Sequence, residues 1–486
     1  MNNPEIPARF FERIKDLLGE EFPAFEAIYG QPPTHGLRVN TLKLTPNQFE
    51  AISPFPLSPL PWSPAGYLVT DETRPGKHPY HAAGLYYLQD PHAQAVAEIL
   101  APEPGESVLD LAAAPGGKTT HLASRMQNQG LLVANEIKTK RIGHLAANLE
   151  RWGVHNGIIL NETPERLAEF FGPFFDRVLV DSPCSGEGMF RKDRAAIQGW
   201  SEEVILGCAV RQTAILNYAA RLVRSGGWLC YSTCTFAPEE DEAVITKFLH
   251  NHPEFELSVY PSPVWPSLDP SPTKMIRLWP HRSPGEGHFI ALMHRSSITE
   301  NRSPRVDTIH RSGRPAVTLP RDIRQPFETW CHENLFDILP ATPTQVGSRL
   351  YAIPEGLPDL TPLRVLHPGW WLGNPKKDRF EPAHALAMGL RTTDVKRVLV
   401  LPTDSPEVQK YLRGETLVTT GEDGWTLVAV SPPTVSSNVE TGNVNVLSVE
   451  AAQNTQISDQ FHFPLGWGKR VQDTLKNHYP RGLLWL

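Results

Sequence analysis

The stretch SVLDLAAAPGGKT, residues 107–119, decides the fold. A short apolar run ends at the acidic Asp110. It gives way to Ala112, Ala113, Ala114, Pro115, Gly116 and Gly117, closed by Lys118. This is the pattern of a buried parallel strand that stops in a loop where the backbone comes close to a ligand, then opens into a helix over 119–126. Small residues in that number give up conformational freedom without filling a core, which makes a ligand-free tight turn the weaker reading.

Two ligands compete for the loop. A phosphate loop needs Gly, four residues and then Gly-Lys-Thr; Gly117, Lys118 and Thr119 supply the end, but Ala112 stands where the first Gly belongs. A nucleotide triphosphatase with Asp181 as magnesium ligand is the alternative of a different class. The loop suits S-adenosyl-methionine better, because small residues let the backbone pass under the amino-acid part of that cofactor.

Outward from this stretch, strands and helices alternate. Strands are predicted over 107–111, 131–135, 157–160, 177–180, 227–231 and 289–293, with helices over 138–152, 202–223 and 239–250. Repeated βα units imply an α/β fold with a doubly wound, mostly parallel sheet covered on both faces, whose ligands sit outside the carboxyl ends of the strands. Glu136 ends the second strand, roughly 20 residues after the Gly-rich turn, where an acidic side chain accepts from a ribose diol. Its competing role is to cap the following helix.

The most informative constellation follows the fourth and fifth strands. DSPCSGEGMF places Cys184 just beyond Asp181, and YSTCT places Cys234 in the matching position. Two cysteines at the carboxyl ends of neighbouring strands point into one cleft. A thiolate adding at carbon 6 of a pyrimidine creates an enamine able to attack a sulfonium methyl from carbon 5. Asp181 suits the acid or hydrogen-bond partner near ring atom N3, and a second thiol assists release.

DLAAAPGGKT, DSPCSGEGMF, YSTCT and RLWPHRSPGEGHFIALM together resemble the motif set of RNA 5-methylcytosine methyltransferases of the Nop2/Sun (Fmu) family, and the whole chain is similar to its bacterial RsmF-type members. The resemblance implies a class I Rossmann-like catalytic domain and methylation of cytosine C5 in 16S ribosomal RNA, with transfer RNA as the alternative substrate. It implies Cys234 as nucleophile, Cys184 as the releasing thiol, and cofactor contacts from residues 112–118, Glu136 and Asp181. Where relatives often carry Asp after the third strand, this chain offers Asn161 or Glu162. Arg141 either reaches the ribose side or belongs to a solvated basic face.

The implied organisation is an N-terminal α+β RNA-binding module over 1–82, the catalytic domain over 83–296 and a polar linker over 297–320. A first C-terminal domain over 321–415 and a PUA-like RNA-binding domain over 416–486 follow. Arg38 and Asn40 are read as outward polar residues of a strand over 37–43, either a substrate contact or a solvated edge. Gly373, Lys376, Lys377 and Arg379 form a basic turn. Trp467, Lys469, Arg470, Lys476, Asn477 and Arg481 mix cations with an aromatic ring, as RNA docking requires. Residues 434–456 read as a low-complexity loop.

Composition sets the outer limits. With 46 Lys and Arg against 53 acids, the chain of 486 residues carries a formal charge of −7, so an RNA partner must be met by local basic patches. No apolar run approaches the roughly 18 residues of a membrane span, and the start lacks a secretory pattern, so a cytoplasmic enzyme is expected, with monomer the simpler state. Five cysteines without a CxxC pair argue against a disulfide framework and a structural zinc site. Cys208, Cys230 and Cys331 are assigned to packing, and His281 and His288 to substrate contact and loop packing.

Overall fold

The computed structural model describes residues 6–258, 274–297, 319–337, 343–433 and 461–485. Residues 298–318 of the linker expected over 297–320, and the whole low-complexity stretch expected over 434–456, lie outside the described residues.

An N-terminal antiparallel sheet is built from β1 (His35–Val39), β2 (Ser58–Leu60), β3 (Ser63–Val69) and β4 (Tyr86–Leu88), in the order β2-β3-β1-β4. The sheet therefore runs on to Leu88, directly into the helix Pro91–Leu100, whose first amides are capped by Asp90. The helices Ala8–Leu18 and Phe22–Ile28 stand apart from this sheet. They bury Phe10, Ile14 and Phe25 against Phe190, Phe236 and Trp279 of the catalytic region.

The central sheet contains β5 (Ser107–Asp110), β6 (Leu131–Asn135), β7 (Gly157–Leu160), β8 (Phe175–Asp181) and β9 (Val223–Thr233), all parallel, in the order β9-β8-β5-β6-β7. The order reverses between β5 and β8, which opens a crevice at their carboxyl ends. Beyond β9 the sheet continues antiparallel with β12 (His288–Arg295), flanked by β10 (Phe255–Ser258) and β11 (Ile276–Leu278). Both faces are dry. Leu109, Val133, Val178 and Leu229 pack under one layer, which includes Leu167, Leu216 and Ile245. Val108, Leu132, Leu179 and Cys230 pack under the other, which includes Val96, Leu122 and Leu145. The near-continuous apolar strands of the sequence are the signature of this two-sided burial.

The C-terminal half adds β13 (Pro343–Val346), β14 (Arg349–Ala352), β15 (Val365–His367), β16 (Trp370–Lys376) and β17 (Arg379–Pro382). β15 leaves the others and pairs with β7, extending the central sheet. A five-stranded sheet then forms from β18 (Val398–Pro402), β19 (Leu417–Val418), β20 (Gly424–Ser431), β21 (Phe463–Val471) and β22 (Thr474–Asn477), in the order β18-β20-β21-β22-β19. β18 lies before residue 416, so the terminal sheet draws on both segments named for the C-terminal half.

Two polar expectations for the N-terminal region are overturned. Arg38 and Asn40 are neither outward nor at a solvated edge: both are completely buried. β1 is covered because the chain packs it between the helix Pro91–Leu100 and the first turn of the helix Gly117–Met126 that follows the cofactor loop. Arg38 donates to Gln89 Oε1 at 3.0 Å, to the Gly117 carbonyl at 3.0 Å and to Thr120 Oγ1 at 2.8 Å, with its guanidinium 4.7 Å from the Trp152 ring centroid. Asn40 donates to the carbonyls of Gly84 and Trp152, and its side-chain oxygen accepts from Leu42 N, which ends the strand at Val39 instead of residue 43.

The C-terminal basic residues divide. Lys376, Lys377 and Arg379 are exposed on the tight β16–β17 turn, with Lys376 and Arg379 paired to Glu381. Gly373 serves packing, since a Cβ there would meet the Glu381 carbonyl at 2.3 Å. In the last segment Trp467 is buried and donates to the Ala383 carbonyl. Arg470 is buried and donates to Thr419 Oγ1, and Asn477 donates to the Tyr411 and Glu415 carbonyls. These three hold the sheet and are not surface contacts; Lys476 and Arg481 remain exposed, and Lys469 lies over the Trp425 ring.

Candidate active site

The loop after β5 lies at the crevice. Gly116 takes the left-handed φ of +112°, which a side chain resists, and the helix Gly117–Met126 begins immediately after it. A Cβ on Gly117 would come within 3.3 Å of the Tyr87 ring. Arg141 donates to the Ala114 carbonyl and lies 3.3 Å from Glu136 Oε2, so it braces the loop from the neighbouring helix Thr139–Trp152. Asn148 adds a bond to the Pro115 carbonyl at 2.8 Å.

Of the two roles the sequence allows for Glu136, its contacts include the helix-capping one. Its Oε1 accepts from Lys138 N at 2.7 Å, which fixes the turn into the helix. Its Oε2, at the carboxyl end of β6, is buried and ion-paired to Arg141 at 3.3 Å, with no hydrogen bond of good geometry. That oxygen, with hydrogen-bonding capacity to spare, and the small-residue loop fit a ligand carrying a ribose diol. Asn161 is buried and donates to the carbonyls of Glu136 and Ile137, so both its N–H groups support the Glu136 turn. Glu162 Oε1 accepts from Arg364 N, where the chain enters β15. Neither supplies a free side-chain group at that corner.

Lys118 and Asp181 face each other across the switch point, Nζ to Oδ2 at 2.8 Å, and Ser232 donates to Asp181 Oδ1 at 2.8 Å. Burial favours the neutral form of each, yet their attraction wins. Asp181 sits below the ordinary carboxylate value and Lys118 above the ordinary ammonium value. Asp181 is therefore a charged acceptor, which narrows its role from acid or acceptor to acceptor. Lys118, committed to a carboxylate across the crevice, does not serve as a phosphate-loop lysine.

Parallel pairing of Asp181 with Ser232 brings the two cysteine loops side by side. Cys184 Sγ and Cys234 Sγ are 3.3 Å apart, both half-buried, and Cys234 N donates to Cys184 Sγ at 3.4 Å. Its bond with Cys234 and then burial hold the Cys184 thiol well above its ordinary value, which keeps it protonated. The loop before β12 closes against them: Gly287 N donates to the Gly188 carbonyl, and Gly188 N donates to the Cys234 carbonyl at 2.9 Å. A Cβ on Gly188 would meet Gly287 at 2.6 Å.

Around the thiols lie side chains that sequence reading did not single out. Glu187, inside the Cys184 motif, accepts from Thr235 Oγ1, Phe236 N and Trp200 Nε1. Glu240 accepts from Ser185 N at 3.0 Å and from Gln212 Nε2 at 2.8 Å. Burial pushes both carboxyls up from the ordinary glutamate value. Both stand in Gly- or Pro-flanked turns that read as solvated, and only tertiary packing distinguishes them. His281 Nε2 donates to Glu21 Oε2 at 3.0 Å, and His288 is buried and neutral, pushed down to about 3 by burial. Cys208, Cys230 and Cys331 are buried in helix and sheet packing.

Among the described residues, no helix is long and apolar enough to cross a membrane. Comparison with known proteins matches four stretches of the chain in turn. Residues 97–294 match a family described as 16S rRNA methyltransferase RsmB/F, and residues 6–91 match the N-terminal domain of 16S rRNA methyltransferase RsmF. Residues 329–390 match the RsmF rRNA methyltransferase first C-terminal domain, and 461–485 the methyltransferase RsmF PUA domain. The chain is 32% identical to ribosomal RNA small subunit methyltransferase F of Vibrio vulnificus strain YJ016, over 83% of this chain and 88% of that one. The enzyme of the same name from Vibrio campbellii is 28% identical over 99% and 98% of the two chains. A crystal structure of a methyltransferase homolog protein from Pyrococcus horikoshii superimposes with a TM-score of 0.53 at 30% identity, covering 59% of this chain and 94% of that one. With matches that run from the N-terminal helices to the terminal sheet, the chain belongs to the RsmF-type family of small-subunit ribosomal RNA methyltransferases.

Proposed function

We propose that this protein methylates carbon 5 of a cytosine in 16S ribosomal RNA, using S-adenosyl-methionine, through a covalent bond between Cys234 and cytosine C6. It acts as a cytoplasmic monomer on RNA within or derived from the 30S subunit. The observation that carries this reading is the 3.3 Å approach of two thiols beside the Lys118–Asp181 pair, at the mouth of the small-residue loop.

The cofactor fits the residues present. Residues 112–118 would pass under its amino-acid part, Glu136 Oε2 would accept from its ribose, and Arg141 and Asn161 hold those two elements in place. When bound, it supplies an electrophilic methyl group. Cys234 Sγ adds to C6, which moves electron density to C5 and N3. Asp181, held charged by Lys118, accepts from the cytosine edge and orients the ring, while Lys118 offsets the developing negative charge. Once C5 carries the methyl group, Cys184 gives its proton to the departing Cys234 sulfur 3.3 Å away, and the thiolate it becomes takes the C5 proton, so that the C6–S and C5–H bonds break as the C5–C6 double bond re-forms. The exposed cations Lys376, Lys377, Arg379, Lys476 and Arg481, with the half-buried Lys469, meet RNA phosphates.

The test is adduct analysis on denaturing gels with radiolabelled RNA. Cys234→Ala abolishes both methyl transfer and adduct. Cys184→Ala retains methyl transfer to the bound base and accumulates protein covalently fixed to RNA. Trapping by Cys234→Ala, or loss of turnover in both variants with no adduct in either, refutes the assignment.

A further inference from the structure

The two cysteine loops hold each other by exchange. Glu187 belongs to the Cys184 loop, yet its carboxyl accepts from Thr235 Oγ1 and Phe236 N, the two residues after Cys234, at 3.0 Å each. Glu240 lies after Cys234, yet it accepts from Ser185 N, the residue after Cys184. The two halves meet where Ser185 Oγ and Thr235 Oγ1 share a hydrogen bond of 2.8 Å. Both carboxyls are buried, and each is fixed from behind. Trp200 Nε1 donates to Glu187 Oε1 at 2.9 Å, and Gln212 Nε2 bridges Glu240 Oε2 and the Pro183 carbonyl. Tyr231 Oη closes the arrangement with a 2.7 Å bond to the Glu240 carbonyl.

We propose that Glu187 and Glu240 form a reciprocal clasp that sets the separation of the Cys184 and Cys234 sulfurs, and that both are positioning residues for methyl transfer. The inference rests on the two-thiol reading above. Each carboxyl accepts from a backbone amide or hydroxyl within two residues of the opposite cysteine, so the clasp fixes the two loops against each other. Neither glutamate faces the substrate directly. Each acts through the amide or hydroxyl next to a cysteine, and a buried carboxyl with all donors matched is the rigid way to fix a loop.

Two readouts test this on the full-length protein, and the first does not depend on RNA. Diamide, an azo oxidant, takes two electrons and two protons from a pair of close thiols; the S–S bond forms as the N=N bond is reduced to a hydrazine. Wild type forms the Cys184–Cys234 disulfide rapidly, followed by peptide mass mapping. Glu187→Ala and Glu240→Ala slow that closure about tenfold or more, because the sulfurs are no longer held together. In the second readout, kcat for RNA methylation falls on the order of 100-fold, the cost of misplacing reacting groups by about 1 Å, while KM for RNA is unchanged. Glu187→Gln and Glu240→Gln keep one acceptor oxygen and recover part of both losses.

Where an alanine variant fails to fold, Ser185→Ala and Thr235→Val replace it, since they remove the hydroxyl link and leave the carboxyls. Clasp variants that oxidise at the wild-type rate, a kcat effect matched by an equal rise in KM, or no rescue by glutamine overturn the inference. Slowed disulfide closure together with absence of any RNA adduct from all variants supports the clasp and refutes the covalent reading instead.

Discussion

Replacing Arg38 with Met removes a buried cation that joins the N-terminal sheet to the cofactor loop. The guanidinium makes three hydrogen bonds, to Gln89, Gly117 and Thr120, each worth roughly 1.5–3 kcal/mol for a charged donor, or about 7 kcal/mol together. Against this stands the burial of the charge, which pushes Arg38 from the ordinary guanidinium value down to about 9 and corresponds to about 5 kcal/mol. The difference leaves a net stabilisation of about 2 kcal/mol. Met retains most of the packing over Trp152 and removes both the bonds and the buried charge, so the loss on substitution is that net of about 2 kcal/mol. A fall of roughly 5–8 °C in Tm of the catalytic unit is expected by thermal unfolding. Because the Gly117 carbonyl is released, S-adenosyl-methionine binding measured by calorimetry weakens roughly tenfold, equivalent to about 1.4 kcal/mol. An unchanged Tm together with unchanged cofactor affinity refutes the brace. Weakened RNA binding with full stability restores the outward reading of this side chain.

Three further outcomes are expected. The cysteine variants separate as stated, with Cys184→Ala trapped on RNA and Cys234→Ala inert by gel assay. Gly188→Ala forces a Cβ to within 2.6 Å of Gly287, so the loop before β12 must move; methylation falls sharply and stability drops by about 1–3 kcal/mol, read by activity and denaturant titration. Asp110 is buried, and burial raises its carboxyl from 3.8 to about 7. Its folded value lies above its unfolded one, so its contribution is fully present below about pH 4 and is lost as pH rises through about 7, by on the order of 4 kcal/mol. Asp110→Asn flattens that slope in the cofactor-free protein, as followed by stability against pH.

The catalytic sheet was legible because its strands are buried on both faces and carry continuous apolar runs between turn residues. The two cysteine motifs were legible because parallel pairing of β8 with β9 turns matching sequence positions into neighbours in space. β9 illustrates the limit: it begins at Val223, four residues before the predicted start, because Gly226 and Gly227 look like a break but occur within a long strand with a register shift near its start. Arg38 shows a second kind of limit. An alternating strand announces which residues share a face, not which face is covered, and here the first turn of the helix after the cofactor loop covers the polar one. Trp467 and Arg470 fail for the same reason, since a cation beside an aromatic ring reads alike in a core and on a surface. Glu187 and Glu240 had no local signal at all; their donors come from residues 13 to 55 positions away.

β15 gives the molecule an architectural constraint. The segment leading into it bonds through Arg364 to Asn161 and Glu162, and β15 itself seals the outer strand of the central sheet. A fragment cut after residue 296 would present β7 as a raw ladder of amides and carbonyls, open to pairing with another chain. It would also slacken the corner that steadies Glu136. The C-terminal half is thus part of the enzyme's masonry as well as a route to RNA, and shortening the protein to a minimal catalyst means first building a replacement for three residues of borrowed strand.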